Sequence, residues 1–554
     1  MKKALLLTLA TIALLASCRS TGNNVYDSST VDSTALAAIE KASLVKNITT
    51  LSSDDFLGRK PFTKGDTLTV RYIENQFKSL GLAPGNGDSY FQEVPMVSIN
   101  SSPKRKILTF TGKSNQQLSI HHLDDYVIGS KRLKENITVE DSELVFVGFG
   151  IIAPEFGWND YKGLDVKGKT VVAMVSDSGK YDKNLFKADT MTYYGRWTYK
   201  FEEAARQGAA GVLLIHDTDA ASYGWNVVRS GWTGPQLNLD NQTNESNTTA
   251  FEGWITAETT KQLFTLAGKP MSLLDEAKKT GFQAVPLEIK TSVSLTNKIR
   301  KSSSNNVIGT LKGSERPDEV IIYTAHWDHL GTGEAIEGDS IYNGAIDNAA
   351  GVSALFEIAK AFKAAKSQPE RSIVFLAVTS EEEGLLGSSY YAANPIYPLA
   401  KTVANLNMDA FSPLGETKDV SIVGIGQTEI EDYVEMSAKK FGRIVKGESN
   451  PSSGGFFRSD HFNFVKVGVP GLFMGSGNEL LSADTAAIKI RREKLAGRYH
   501  TVHDEIDENW DFEGILADIR LFFDIGYTMS MEKTFPNFKS KSEFKEISDK
   551  RLVK

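Results

Sequence analysis

Cysteine is almost missing: the chain of 554 residues has one. That excludes an internal disulfide framework, a cysteine-ligated zinc site and an iron–sulfur cluster. Any resident metal must therefore be held by His, Asp and Glu. Cationic excess is lacking too. The 62 Lys and Arg stand against 69 Asp and Glu, a net charge of −7 with no basic block, which argues against nucleic acid as the main partner. Long apolar runs are scarce. Ala4–Ala16 is almost wholly apolar behind Lys2 and Lys3, yet it is shorter than the roughly 20 residues a membrane-crossing helix needs, and no second run of this kind follows. What is present is a composition of 41% hydrophobic and 24% charged residues, enough for a sizeable core. Single cores stop growing beyond about 250–300 residues, so two or three domains are expected.

The apolar stretch reads as a secretory signal. Leu15-Ala16-Ser17-Cys18 resembles the bacterial lipobox, in which the cysteine is lipidated; an ordinary signal peptide with a chance cysteine is the alternative. The expectation is a lipoprotein signal peptide over 1–17 and a Ser/Thr/Asn/Asp-rich tether over 18–33. The protein would be exported to the cell envelope, on the periplasmic side or at the outer membrane. An acyl group on Cys18 would be its membrane attachment.

Val70, Ile73, Phe77 and Leu80 recur at helical spacing, with Gly81 as a stop. Gly85-Asn86-Gly87-Asp88 reads as a turn and Tyr90 to Val97 as extended. From about Val139 to Ser292 the pattern is one of short strands punctuated by glycine, including Glu143–Gly150, Thr170–Val175 and Gly211–Ile215, with a helix over Phe201 to Gln207. This text resembles the protease-associated (PA) domain, a β-rich module. The likeness rests on Gly148-Phe-Gly-Ile-Ile-Ala-Pro-Glu-Phe-Gly-Trp158, on Gly163-Leu-Asp-Val-Lys-Gly-Lys-Thr-Val-Val172 and on Glu202–His216. His216, at a strand end, reads as structural, and His121 and His122 as surface residues.

From Asn305 onward strand and helix alternate. Glu319–Ala325, Ser372–Val378 and Thr402–Met408 are compact apolar strands, and Ala349–Ala365 is an amphipathic helix. Alternation of this kind predicts an α/β fold with a mainly parallel, mixed sheet flanked by helices. Functional groups then collect beyond the carboxyl ends of the strands. The first strand runs into His326-Trp-Asp-His329, the second into Glu381-Glu-Glu-Gly384 and the third into Asp409. Gly344-Ala-Ile-Asp347 precedes the helix. Five of the eight histidines, His326, His329, His461, His500 and His503, fall in this part. Taken singly, His-x-Asp could be a structural pair, the triple glutamate a solvated turn and Asp347 a helix cap. Taken together, carboxylates crowded at one rim repel one another unless a cation neutralises them, so a metal site is expected.

These motifs resemble the M28 zinc exopeptidases. The matching text is Ala325-His-x-Asp, Gly344-Ala-x-Asp-Asn, Glu381-Glu-x-Gly-Leu-x-Gly-Ser, Asn407-x-Asp, Ser459-Asp-His461 and Tyr499-His-Thr-x-x-Asp504. The stretch Leu51-Ser-Ser-Asp-Asp-Phe-Leu-Gly-Arg59 looks like the family's N-terminal piece, so the peptidase domain would be split by the PA insertion. The expected division is 34–138 for the N-terminal part of the peptidase domain, 139–292 for PA, 293–540 for the zinc peptidase domain and 541–554 for a C-terminal tail.

The resemblance implies two Zn2+ per chain. His326, Asp347 and Asp409 would hold one and Asp347, Glu382 and His500 the other, with Asp347 bridging and the metals about 3.5–4 Å apart. Glu381 would be the general base, Asp328 the group that orients His326, and Tyr499 a hydrogen-bond donor to the oxyanion. His329 and His503 read as supporting or structural, and Asp460 and His461 as shaping the pocket. The peptide bond between Asp347 and Asn348 would be cis. The implied activity is exopeptidase, most simply aminopeptidase, on peptide substrates. Three alternatives share the fold: a one-zinc glutaminyl cyclase, a carboxypeptidase using Arg458, and a non-catalytic receptor. Side-chain preference and oligomeric state are not legible.

Overall fold

The computed structural model describes residues 30–240, 246–482 and 484–553. The expected signal 1–17, the Cys18 anchor and the tether up to residue 29 lie outside the described residues.

The strand Arg316–His326 is the middle of the principal sheet. It pairs in parallel with Arg371–Val378 on one side and Thr402–Asn407 on the other. Gly471–Ser476 continues the parallel set beside Thr402–Asn407, and Val307–Leu311 lies on the opposite side, antiparallel to the 371–378 strand. The architecture is therefore α/β, mixed and mostly parallel. Every residue from Arg371 to Val378 is buried. A strand covered on both faces needs apolar side chains at consecutive positions. Ile373, Phe375 and Ala377 face a core shared with Leu355 and Phe362 of helix Ala350–Ala364 and Phe522 of helix Glu513–Met531. The alternate set, Val374, Leu376 and Val378, packs on Tyr391 and Phe464 from the helices on the other face. Each such Ile, Leu or Phe contributes roughly 1.5–3 kcal/mol by leaving water. The helix predicted near Val70 spans Lys64–Ser79, capped by Thr63, and ends where Gly81 adopts φ +66°.

Two long antiparallel strands, Phe91–Pro103 and Val285–Leu311, pair from Phe91 with Val307 to Pro103 with Leu295. They lead out of the principal sheet into a second unit. There Asn136–Phe146, Thr170–Met174, Gly211–Ile215 and Phe251–Ile255 form parallel neighbours. This unit begins before the expected position 139: Leu108, Phe110, Ile120 and Tyr126 share a core with Phe146, Leu213 and Phe251. The hairpin Ile107–Thr111 with Gln117–His121 pairs with the long strand at Lys290 and Thr291, past the Leu295–Pro103 pair, and its buried residues belong to the second core. No loop marks the expected boundary at 292 either. One continuous strand buries Leu295 in the second unit's core and Val307 in the first's. The expected tail 541–554 is instead a docked segment. Phe544 is buried, and Arg551 on helix Lys545–Val553 donates to Leu399 O and Thr402 O, each at 2.6 Å.

The units meet through aromatic packing. Tyr193 lies 5.0 Å from Phe462 and 6.0 Å from Phe457, ring centroid to centroid, and Met191 joins the same cluster.

Candidate metal centre

Parallel neighbouring strands end at the same edge of a sheet. That edge receives His326 as the last residue of the central strand, Glu381 and Glu382 just past Val378, and Asp409 just past Asn407. Asp347 arrives on the turn before helix Ala350–Ala364, and the Asp347–Asn348 peptide bond is cis, as the resemblance implies. Gly344 opens that turn with φ +57°, and a Cβ there would lie 2.1 Å from Asp347 O and 2.6 Å from the His329 ring, so only glycine fits. His500 comes from the loop after helix Thr485–Leu495.

The distances form a chain centred on Asp347. His326 Nε2 lies 3.1 Å from Asp347 Oδ1 and 3.1 Å from Asp409 Oδ1. His500 Nε2 lies 3.1 Å from Asp347 Oδ2 and 3.1 Å from Glu382 Oε2. One carboxylate therefore faces two histidines, one through each oxygen. Two groups of potential ligand atoms lie within 4.8 Å of one another: His326, Asp347 and Asp409, and His329, Asp347 and Glu382. Tetrahedral zinc with bonds of ~2.0–2.1 Å requires ligand atoms ~3.3 Å apart, so these donors fit the ion in type and spacing.

Electrostatics point the same way. Burial pushes the Asp328 carboxyl up to about 8 and Asp460 up to about 7. Burial, with Asp409, Asp460 and Glu382 adding repulsion, raises Glu381 far above the carboxylate range, and burial also raises Asp409. Asp347 and Glu382 go the other way. Burial opposes their ionisation, but bonds from His326 and His500 outweigh it for Asp347, and bonds from His329 and His500 bring Glu382 to about 2. His500 is correspondingly lifted to about 10: burial works against its charge, while Asp347 and Glu382 stabilise it. A rim holding this many buried acids favours a cation.

Asp328 supports the site by a different route from the expected one. Its backbone carbonyl, at 3.1 Å, is the partner of His326 Nδ1, whereas its carboxylate lies 3.9 Å away. That carboxylate accepts the N–H groups of Glu381 at 3.0 Å and Glu382 at 3.4 Å, so it orients the paired glutamates. The Glu381 carboxylate itself accepts no hydrogen bond from the described residues. Ser459 donates to Asp409 Oδ2 and accepts from Asn407 Nδ2 at 2.7 Å. Tyr499 stacks on His500 at 3.9 Å and is 73% exposed, open to anything entering the site.

His329 is closer to the centre than a merely structural reading suggests: its Nδ1 lies 2.6 Å from Glu382 Oε1, while its buried Nε2 has no partner among the described residues. His461 is wholly buried between Phe456 and Phe473, which brings it down to about 3 through burial. Asp460 accepts from Ser388 at 2.5 Å. His503 and Arg458 are exposed, Arg458 donating to Ser453 O at 2.9 Å, and His216 bonds Tyr223 O at 3.0 Å as a structural histidine would.

Two residues gain roles that sequence reasoning did not give them. Asp504 accepts the N–H groups of Ile346 and Asp347, both at 3.0 Å. Arg59 is buried beneath the site and donates to backbone carbonyls on both sides of it. Both residues stand in quoted motifs, but nothing in their spacing shows which atoms they meet.

Residues 306–522 match the model of peptidase family M28. Rat "Aminopeptidase NAALADL1" is 27% identical over 248 residues, which is 40% of this chain and 30% of that protein. A "Probable zinc metalloprotease" of Pyricularia oryzae is 40% identical over 88 residues, 16% of this chain and 17% of its own. The chain thus spans under a third of the length of these curated relatives. Among solved structures, the aminopeptidase from Aneurinibacillus sp. strain AM-1 is 19% identical with a TM-score of 0.49, covering 90% of this chain and 96% of that one. A zinc aminopeptidase from Bacillus subtilis is also 19% identical, with a TM-score of 0.40 and coverage of 89% and 95%. The segment that matches the peptidase family M28 model, 306–522, is the one that carries His326, Asp347, Glu381, Glu382, Asp409 and His500.

Proposed function

We propose that this chain is a zinc-dependent exopeptidase, an aminopeptidase that trims peptides from their N-termini, with two Zn2+ per chain. The observation that carries this reading is the split use of Asp347, Oδ1 beside His326 and Oδ2 beside His500. His326, Asp347 and Asp409 would hold one ion and Asp347, Glu382 and His500 the other. Bound there, zinc supplies Lewis acidity toward a water molecule and a peptide carbonyl.

The chain's own residues do the rest. Glu381 takes the proton of the attacking water and returns it to the leaving amine. Asp328 holds the Glu381 and Glu382 N–H groups, so the base and the ligand diverge from adjacent positions. His329 donates to one Glu382 oxygen and leaves the other free to face His500. Tyr499 donates to the oxygen on which negative charge develops. The second unit would be a PA domain, packed on the peptidase unit through Tyr193 and Met191. Cys18 carries the lipid that keeps the protein at the cell envelope.

A peptide panel followed by mass spectrometry tests this. Zinc-loaded protein should release single residues from free N-termini, fail on N-acetylated peptides, stop after chelation and recover with zinc. If the zinc-loaded protein released nothing from any peptide, or trimmed only carboxyl ends, the aminopeptidase reading would fall.

A further inference from the structure

Arg59 lies outside the segment that matches the peptidase family, yet its side chain is 1% exposed and sits under the rim. All five of its N–H bonds are used, and all go to backbone carbonyls. Nε donates to Trp327 O at 2.9 Å. Nη1 donates to Leu51 O at 2.8 Å and Asn343 O at 2.5 Å. Nη2 donates to Gly344 O at 2.8 Å and reaches Asp347 O at 3.4 Å. One planar fork thereby joins the loop after the central strand, which carries His326 and Asp328, to the turn that carries Asp347. Asp504 holds the N–H side of that same turn. Asp347 is thus fixed from both sides of its peptide units.

The backbone is bent to deliver the fork. Leu57, Gly58 and Arg59 adopt φ of +51°, +62° and +51° in succession. Left-handed conformations are unfavourable for leucine and arginine and persist where surrounding contacts over-determine them. At Gly58 the fit is close: a Cβ would lie 2.5 Å from Tyr342 O and 2.6 Å from Gly331 O. Asn343, next to the turn, is tied to the same segment by bonds to Ser52 O at 2.8 Å and Asp54 Oδ1 at 2.9 Å. The guanidinium forms no direct ion pair among the described residues, but its charge faces Asp504, Asp347, Asp328 and Glu382.

We propose that Arg59 is a positioning residue for the metal centre: through the five carbonyls it binds, it sets the separation of His326 from Asp347 and so the spacing of the two metal positions. This rests on the two-zinc reading above. Lysine has three donors on a single nitrogen and cannot bridge the two loops, although it preserves the charge. Outer partners of metal ligands are worth about 10–100-fold in metal affinity.

The test is zinc titration by calorimetry on wild type, Arg59→Lys and Arg59→Ala, with circular dichroism of each. Two zinc ions should bind wild type. Arg59→Lys should keep the wild-type spectrum and bind the weaker zinc about 10–100-fold less tightly. Arg59→Ala should regain zinc affinity when millimolar guanidinium is added, but not with ammonium at equal ionic strength. Wild-type zinc affinity in Arg59→Lys would overturn the proposal. So would a loss in Arg59→Ala that guanidinium does not restore, or unfolding of both variants, which would make Arg59 a general fold determinant. A wild type binding no zinc would instead sink the metal reading, and the positioning role with it.

Discussion

Two of the clusters of buried charge in the molecule are built differently. In the inserted unit, Lys200 is 1% exposed and donates to Ser176 O at 2.9 Å and Tyr194 O at 2.5 Å. Its neighbours Asp160 and Asp177 are equally enclosed. Asp160 accepts from Ile151 N and Trp158 Nε1, and Asp177 from Gly179 N and Thr192. Each charge there has its partners within the fold. At the rim of the principal sheet, Asp328, Asp347, Glu381, Glu382, Asp409 and Asp460 gather around His326, His329 and His500, and the Glu381 carboxylate accepts no bond from the described residues. The first cluster closes on itself and reads as structural; the second needs something from outside. Buried polar groups that find all their partners rigidify a fold, whereas incomplete sets mark sites.

The contrast can be broken most sharply at Glu381. Glu381→Gln should lower kcat by about 10²–10⁴-fold, the usual contribution of a positioned general base, while zinc content stays at the wild-type value. Loss of zinc with activity would mean that Glu381 is a ligand. Asp347→Asn should do the reverse. Zinc binding should fail, and added zinc should no longer raise the melting temperature, because stabilisation by a ligand requires affinity for the folded state.

A third test uses pH. Asp328 and Asp460 are raised to about 8 and about 7, so the stability they contribute is full below about pH 4 and is lost as pH rises through those values. His500, raised to about 10, contributes stability that begins to fade above about pH 6.5. Asp347 and Glu382 are lowered, so their contribution is full above about pH 4 and is lost only in stronger acid, outside the working range. The metal-free protein should therefore weaken steadily from pH 5 to 8, and the rise in melting temperature on adding zinc should grow over the same interval. A constant rise across that range would contradict this picture. The smallest effect belongs to the closed cluster. Lys200→Met should leave hydrolysis within about two-fold, yet cost about 1–3 kcal/mol in urea unfolding by leaving buried carbonyls without donors.

Much of this was readable from residues alone. The run from Ser372 to Val378 and its neighbours announces buried parallel strands, and the groups following each strand announce the rim. The halves of the rim were legible because parallel strands bring their ends together irrespective of sequence distance. The domain edges were not legible. Between Ser101 and Asn136 apolar and polar residues follow no dominant period, and it is the packing of Leu108, Phe110, Ile120 and Tyr126 into the second core that assigns that stretch to the inserted unit. Nor could sequence show that His329 reaches Glu382, or that Arg59 reaches carbonyls from Leu51 to Asp347, since backbone acceptors carry no residue signature.

Two zinc ions at this rim, with Asp347 between them, are what the proposed function requires. The most direct measurement is an anomalous difference map at the zinc absorption edge, from crystals grown with zinc. Two peaks per chain are expected, one among His326, Asp347 and Asp409 and the other among Asp347, Glu382 and His500. A single peak, a second peak held by His329 in place of His500, or no peak at this rim would contradict the two-zinc reading.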